Sequence, residues 1–166
     1  MEVIRTQKSR IRFRDWKIKQ SCLLMCQASN NLANQTLWEI KQYFKENSKM
    51  LSYPELEKKI KLDEIVSEYN SLPYNHNYRN LIASSSQQTI KSIYNEYLSF
   101  FALLKKKKWE WYDSKIKEPN FKKKWWLFKI IYASKQFWFN KEKNELRLWI
   151  SKQIKEQLWI GNNSFI

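Results

Sequence analysis

CLLMCQASNNLANQTLWEIKQYF, residues Cys22–Phe44, holds the pattern that sets the architecture. Cys22, Met25, Ser29, Leu32, Thr36, Ile40 and Tyr43 recur at steps of three and four, and Cys26, Ala33, Leu37 and Phe44 widen the same stripe. That is the spacing of a helix burying one broad face. It predicts a helix over about residues 19–46. Downstream, Ser52 with Pro54 just inside and Glu55 three residues on reads as a capping-box start for a shorter helix through about residue 61, with Leu56 and Ile60 inward. Ser84 and Ser85, each followed three residues later by Gln, mark the start of a third helix along Gln87, Ile90, Tyr94, Tyr97, Phe101 and Leu104. Tyr74–Ile82 has no clean period and reads as a loop.

The flanks follow a different period. Arg10-Ile11-Arg12-Phe13-Arg14 alternates strictly, which places three arginines on one face of a strand and Ile11 with Phe13 on the other. Residues 127–133, 136–139 and 145–151 are rich in β-formers, and Asn140–Asn144 is the turn signal that joins the last two as a hairpin. One glycine and three prolines in 166 residues argue against an all-β sandwich and against a glycine-loop nucleotide site. The expected fold is α+β, with a helical bundle inserted into a small basic β-barrel-like domain. Its segments are residues 1–18 (first β segment), 19–112 (helical insert), 113–160 (second β segment) and 161–166 (tail).

Charge divides along the same lines. Residues 1–19 carry seven Lys/Arg against two acids, 20–104 carry eight against eight, and 105–166 carry sixteen against six. The formal +15 therefore lies in the two ends, and a fold that joins them concentrates it. Such a surface attracts nucleic acid by releasing condensed counterions. Aromatics interleave with the cations in Arg12–Lys17 and in Phe121–Trp126, so that Lys and Arg meet phosphates while Trp stacks on unpaired bases. The residues expected to bind are Arg10, Arg12, Arg14, Lys17, Lys105, Lys106, Lys122, Lys123, Lys124 and Trp125.

No apolar run approaches the ~18 residues of a membrane span, and residues 1–14 lack the core of a signal peptide, so the expected location is cytoplasmic. Cys22 and Cys26 are the only cysteines and His76 the only histidine, which leaves no disulfide framework, no four-ligand zinc site and no cofactor to expect. The thiols read as buried and free. The acids pair with lysines on helix surfaces, as in Glu55 with Lys59 and Glu57 with Lys61, and do not form a metal-binding trio, so no catalytic residue is expected.

Leu51–Leu56 (LSYPEL), Tyr69–Pro73 (YNSLP), Ser86–Ile90 (SQQTI), Ser99–Lys106 (SFFALLKK) and Pro119–Lys124 (PNFKKK), with Gln136-Phe137 beyond, resemble in order the amino-terminal part of the TnpB (OrfB) family of insertion sequences. Two stretches depart from the family's pattern, the insertion at Tyr74–Ser85 and the Trp-rich Lys105–Tyr112. The resemblance implies an RNA-guided DNA endonuclease in which a wedge barrel and a helical recognition domain grip guide RNA and target DNA ahead of a RuvC-like nuclease domain. This chain is expected to stop before that domain. The implied role is binding without cutting, with guide RNA, DNA and a separate nuclease chain as partners. Two other readings of the same sequence stand beside it: a helical protein-interaction module, and a helix-turn-helix binder of DNA alone.

Overall fold

The computed structural model describes residues 12–13, 15–62, 77–109, 116–143 and 145–160. Its elements are α1 (Trp16–Asn47), α2 (Tyr53–Leu62), α3 (Ala83–Trp109), a 3₁₀ turn (Ser134–Gln136), β1 (Phe137–Asn140), β2 (Glu145–Leu148) and α4 (Lys152–Leu158). The chain is α+β and mostly helical. Among the described residues its sheet has two antiparallel strands, which do not close into a barrel.

The long helix α1 begins three residues earlier than its stripe predicts, because the Asp15 carboxylate accepts the Lys17 N–H at 2.9 Å and caps the first turn. Residues 16–18 are thus helical rather than part of a β segment. Arg12 and Phe13 are irregular, while Arg10, Ile11 and Arg14 lie outside the described residues. At the other end Ser48 takes the left-handed conformation (φ 52°) and donates its N–H to the Phe44 carbonyl at 2.8 Å. Trp159 closes α4 in the same way (φ 51°). A chain with a single glycine ends its helices on other residues, each costing about 1 kcal/mol in this conformation.

The capping interaction expected at Ser52 is present in its Glu55 half: the Ser52 N–H donates to Glu55 Oε2 at 3.1 Å. At α3 the expected serine caps are absent. Helix α3 starts at Ala83, so Ser84 and Ser85 lie inside its first turn: Ser85 Oγ donates instead to the Ile131 carbonyl (2.9 Å), Ser84 Oγ is buried with no hydrogen-bond partner among the described residues, and the next residue, Ser86, donates to the Tyr78 carbonyl (2.7 Å). The 77–80 turn is well buried through Asn77, Tyr78 and Asn80, and Asn77 Nδ2 donates to Gln35 Oε1 at 3.0 Å.

Ser29 Oγ lies 3.1 Å from Thr89 Oγ1, and fifteen residues further along α1 the Phe44 ring is 5.2 Å from the Phe101 ring. Helices α1 and α3 therefore run parallel, with α2 packed against both. A single apolar core joins Met25, Leu32, Leu37 and Ile40 of α1, Leu56 and Ile60 of α2, Ile90 and Ile93 of α3, and Ile150 with Ile154 around α4. Each of these fully buried side chains contributes roughly 1.5–3 kcal/mol.

The hairpin forms where the turn signal places it, in the register Phe137↔Leu148, Trp138↔Arg147, Phe139↔Leu146 and Asn140↔Glu145. Asn140 Oδ1 accepts the Glu142 and Lys143 N–H groups (3.0 and 3.3 Å), the side-chain turn that Asn favours. The second strand ends at Leu148 rather than continuing to residue 151. Ser151 Oγ accepts the Ile154 N–H at 3.4 Å and starts α4, burying Ile154 beside Ile150.

Candidate nucleic-acid interface

Residues 116–133 form an irregular strap with a turn at Lys124–Trp125, where the Trp126 N–H donates to the Lys123 carbonyl (3.0 Å), and belong to no sheet, contrary to the strand expected at 127–133. A strand satisfies its backbone against another strand, whereas this strap lies along α1 and α3 and is bonded mostly by their side chains. Asn34 Nδ2 donates to the Lys122 carbonyl (3.0 Å), and Asn34 Oδ1 accepts the Lys122 N–H (2.7 Å). Asn30 Nδ2 donates to the Lys123 carbonyl (2.9 Å). The Phe128 N–H reaches the Cys26 carbonyl (3.1 Å), Ser29 Oγ donates to the Lys129 carbonyl (2.8 Å), and Ser85 holds Ile131. Strap residues rise in number as helix residues fall, so the strap is antiparallel to both helices. Cys26, Asn30 and Asn34 are spaced i, i+4, i+8 and form one row on α1.

Pinning the backbone from beneath turns several strap side chains outward. Phe121, Lys123, Lys124, Trp125, Trp126 and Leu127 are exposed. Lys123 Nζ sits 5.0 Å from the Trp126 ring and Lys124 Nζ 5.6 Å from the Trp125 ring. A cation held against an indole face orders both groups at a cost of little water stripping. The hairpin repeats the arrangement, with the Arg147 guanidinium 5.2 Å from the Trp138 ring. Trp149 and Trp159, further along the carboxy-terminal part, are exposed as well.

The other expected binding residues are disposed differently. Lys122 is half-buried, with its Nζ 3.4 Å from Glu96 Oε2 and 5.5 Å from the Phe128 ring, so its charge is already matched within the fold. Lys105 and Lys106 are exposed in the last turns of α3, Lys17 is partly buried, and Arg12 is exposed. The structure thus brings together Lys123, Lys124 and Trp125 and adds Trp126, which sequence reasoning left out of the binding set. It also shows what positions them, Asn30 and Asn34. Their signal in the sequence was two amides four residues apart in a helical face, beside an apolar stripe.

Cys22 and Cys26 are half-buried and free. Burial first, then the neighbouring Cys26, pushes the Cys22 thiol up to about 11. Among the described residues no three His, Cys, Asp or Glu side chains gather as a metal site, and no helix is long and apolar enough to cross a membrane. What this surface offers is phosphate attraction and flat rings for stacking. No family model, no curated protein and no solved structure matches the chain.

Proposed function

We propose that this chain binds RNA through the 121–126 strap and the adjoining hairpin, and that it does so without cutting it. The observation that carries this reading is the pairing of Lys123 with Trp126 and of Lys124 with Trp125 on an exposed, backbone-anchored segment. Phosphate contacts and base stacking are the two terms from which binding of unpaired nucleic acid is built. The chain's excess charge supports the same reading, since it lies in the two ends of the sequence, and α1, near the amino terminus, packs against α4, near the carboxy terminus.

On the resemblance to TnpB, the RNA is a guide RNA, held with its target DNA. The helical body corresponds to the recognition insert, and the hairpin with its basic flanks to the barrel-like wedge domain. In that family a separate nuclease domain does the cutting, so this reading assigns binding to the strap, the hairpin and the helical body.

The test is direct. Protein purified without nuclease treatment carries extractable RNA, and after the RNA is stripped it shifts structured RNA in a mobility assay. Protein that emerges free of nucleic acid and shifts neither structured nor single-stranded RNA overturns the proposal.

A further inference from the structure

Beside the strap, a groove of about 500 Å³ opens between the carboxy-terminal halves of α1 and α3. Its walls are aromatic and apolar: Phe44 and Phe101 have ring centroids 5.2 Å apart, Tyr97 lies 6.1 Å from Phe101, and Leu104 stands at the edge, 40% exposed. One carboxylate borders it. Glu118 Oε1 accepts the Tyr97 hydroxyl (2.9 Å) and faces Lys41 Nζ (3.5 Å), whereas its Oε2 has no partner among the described residues. Burial, then Glu118 itself, holds the Tyr97 hydroxyl well above its ordinary value, so it stays a donor at neutral pH. Lys45, also on the lining, has no ion-pair partner among the described residues.

We infer that this groove receives one unpaired guanine base of the bound RNA, stacked on the Phe44 and Phe101 rings with its Watson–Crick edge on Glu118. The inference rests on the RNA-binding reading above and specifies a subsite for it. A carboxylate accepts about four hydrogen bonds; Tyr97 takes one on Oε1, which Lys41 faces as an ion pair, so acceptor sites remain on both oxygens. Guanine alone among the four bases presents two adjacent donors on that edge, N1–H and the N2 amine. Adenine and cytosine each set a ring-nitrogen acceptor beside their amine, and uracil flanks its one N–H with carbonyl oxygens, so all three bring a lone pair towards the carboxylate. Lys45 at the rim provides for the phosphate. The groove also continues the interface, because Lys41 pairs with Glu118 and lies 5.2 Å from the Phe121 ring, two residues before Lys123.

Fluorescence anisotropy on short uridine tracts with a single central guanosine, inosine or adenosine tests this. The guanosine tract is expected to bind about tenfold more tightly than the adenosine tract, the discrimination of one bidentate edge contact, with inosine between them. Glu118→Ala removes the preference and leaves the affinity for plain uridine tracts unchanged. Leu104→Trp, at a half-exposed position, fills the groove and has the same effect should Glu118→Ala disturb the fold. Equal affinity for guanosine and adenosine tracts overturns the inference, as does a guanosine preference that survives Glu118→Ala. If no tract binds, the RNA-binding reading falls and guanosine versus adenosine monophosphate decides the pocket: selective, Glu118-dependent binding of the former upholds it, and its absence ends both.

Discussion

The side-chain amide of Asn34 brackets the peptide of Lys122, donating to its carbonyl at 3.0 Å and accepting its N–H at 2.7 Å. One side chain thereby supplies both partners that a neighbouring strand would give, and the segment carrying Lys123, Lys124, Trp125 and Trp126 is fixed without a sheet. Asn34→Ala is expected to cost about 2 kcal/mol in urea unfolding, since both partners sit in a half-buried contact. Asn34→Asp keeps the acceptor and loses the donor, and is expected to fall between the two. If Asn34→Ala unfolds at the wild-type urea concentration, the amide does not hold the strap.

Glu57 Oε1 gathers Lys61 (2.7 Å), Gln87 (2.9 Å) and Tyr78 (3.4 Å), tying α2 to α3 and to the 77–80 turn. Burial raises its pKa, but Lys61, Gln87 and Tyr78 together outweigh that and leave it below its ordinary value. A carboxyl lowered on folding contributes stability that is present above its unfolded value and is lost as pH falls through the folded one. Glu57→Gln should cost about 1 kcal/mol at neutral pH. The gap to wild type should close as pH falls below 4.5, the unperturbed value. A gap that stays constant from pH 7 to acid would show that the charge on Glu57 contributes nothing.

With Cys22 near 11, about one thiol in a thousand is ionised at pH 8. Disulfide-exchange labelling of the native chain is therefore expected to run at least about tenfold slower than in urea, where both thiols regain ordinary acidity. Equal rates in the two states would place the thiols in open solvent.

The parts of the fold legible in the sequence are those written in local periods. The α1 stripe, the Ser52–Glu55 cap and the hairpin about Asn140 each follow from residues close in the chain. The strap was misread because residues 127–133 carry strand propensity, whereas their bonding partners, Cys26, Ser29 and Ser85, lie 46 or more residues away. Propensity reports a preference for extended backbone and not what satisfies it. Helix α4 was overlooked although Ser151, Ile154 and Leu158 carry a cap and an i, i+4 pair, because the strand-like run before it ended without a break. For the candidate interface, charge counting points to the segment but does not separate Lys122, paired with Glu96, from Lys123 and Lys124, which lie beside indole rings.

Stacking and charge should separate by substitution. Trp125→Ala and Trp126→Ala are each expected to weaken single-stranded RNA binding by about 1–3 kcal/mol while leaving its salt dependence nearly unchanged. Lys58→Gln and Lys91→Gln, at exposed sites on α2 and α3, should leave binding within about 0.5 kcal/mol of wild type. Filter binding at fixed salt measures both sets. Equal losses in the two would refute a localised surface.

The most direct test of RNA binding through the strap is the salt dependence of affinity for a single-stranded RNA, measured for wild type and for Lys123→Gln/Lys124→Gln. Each phosphate neutralised contributes about −0.7 to the slope of log affinity against log salt on single strands. The double variant is expected to flatten a steep wild-type slope by about 1.4, with its urea unfolding unchanged because both side chains are exposed. A wild-type affinity that does not vary with salt, or a variant whose slope matches wild type, would contradict it.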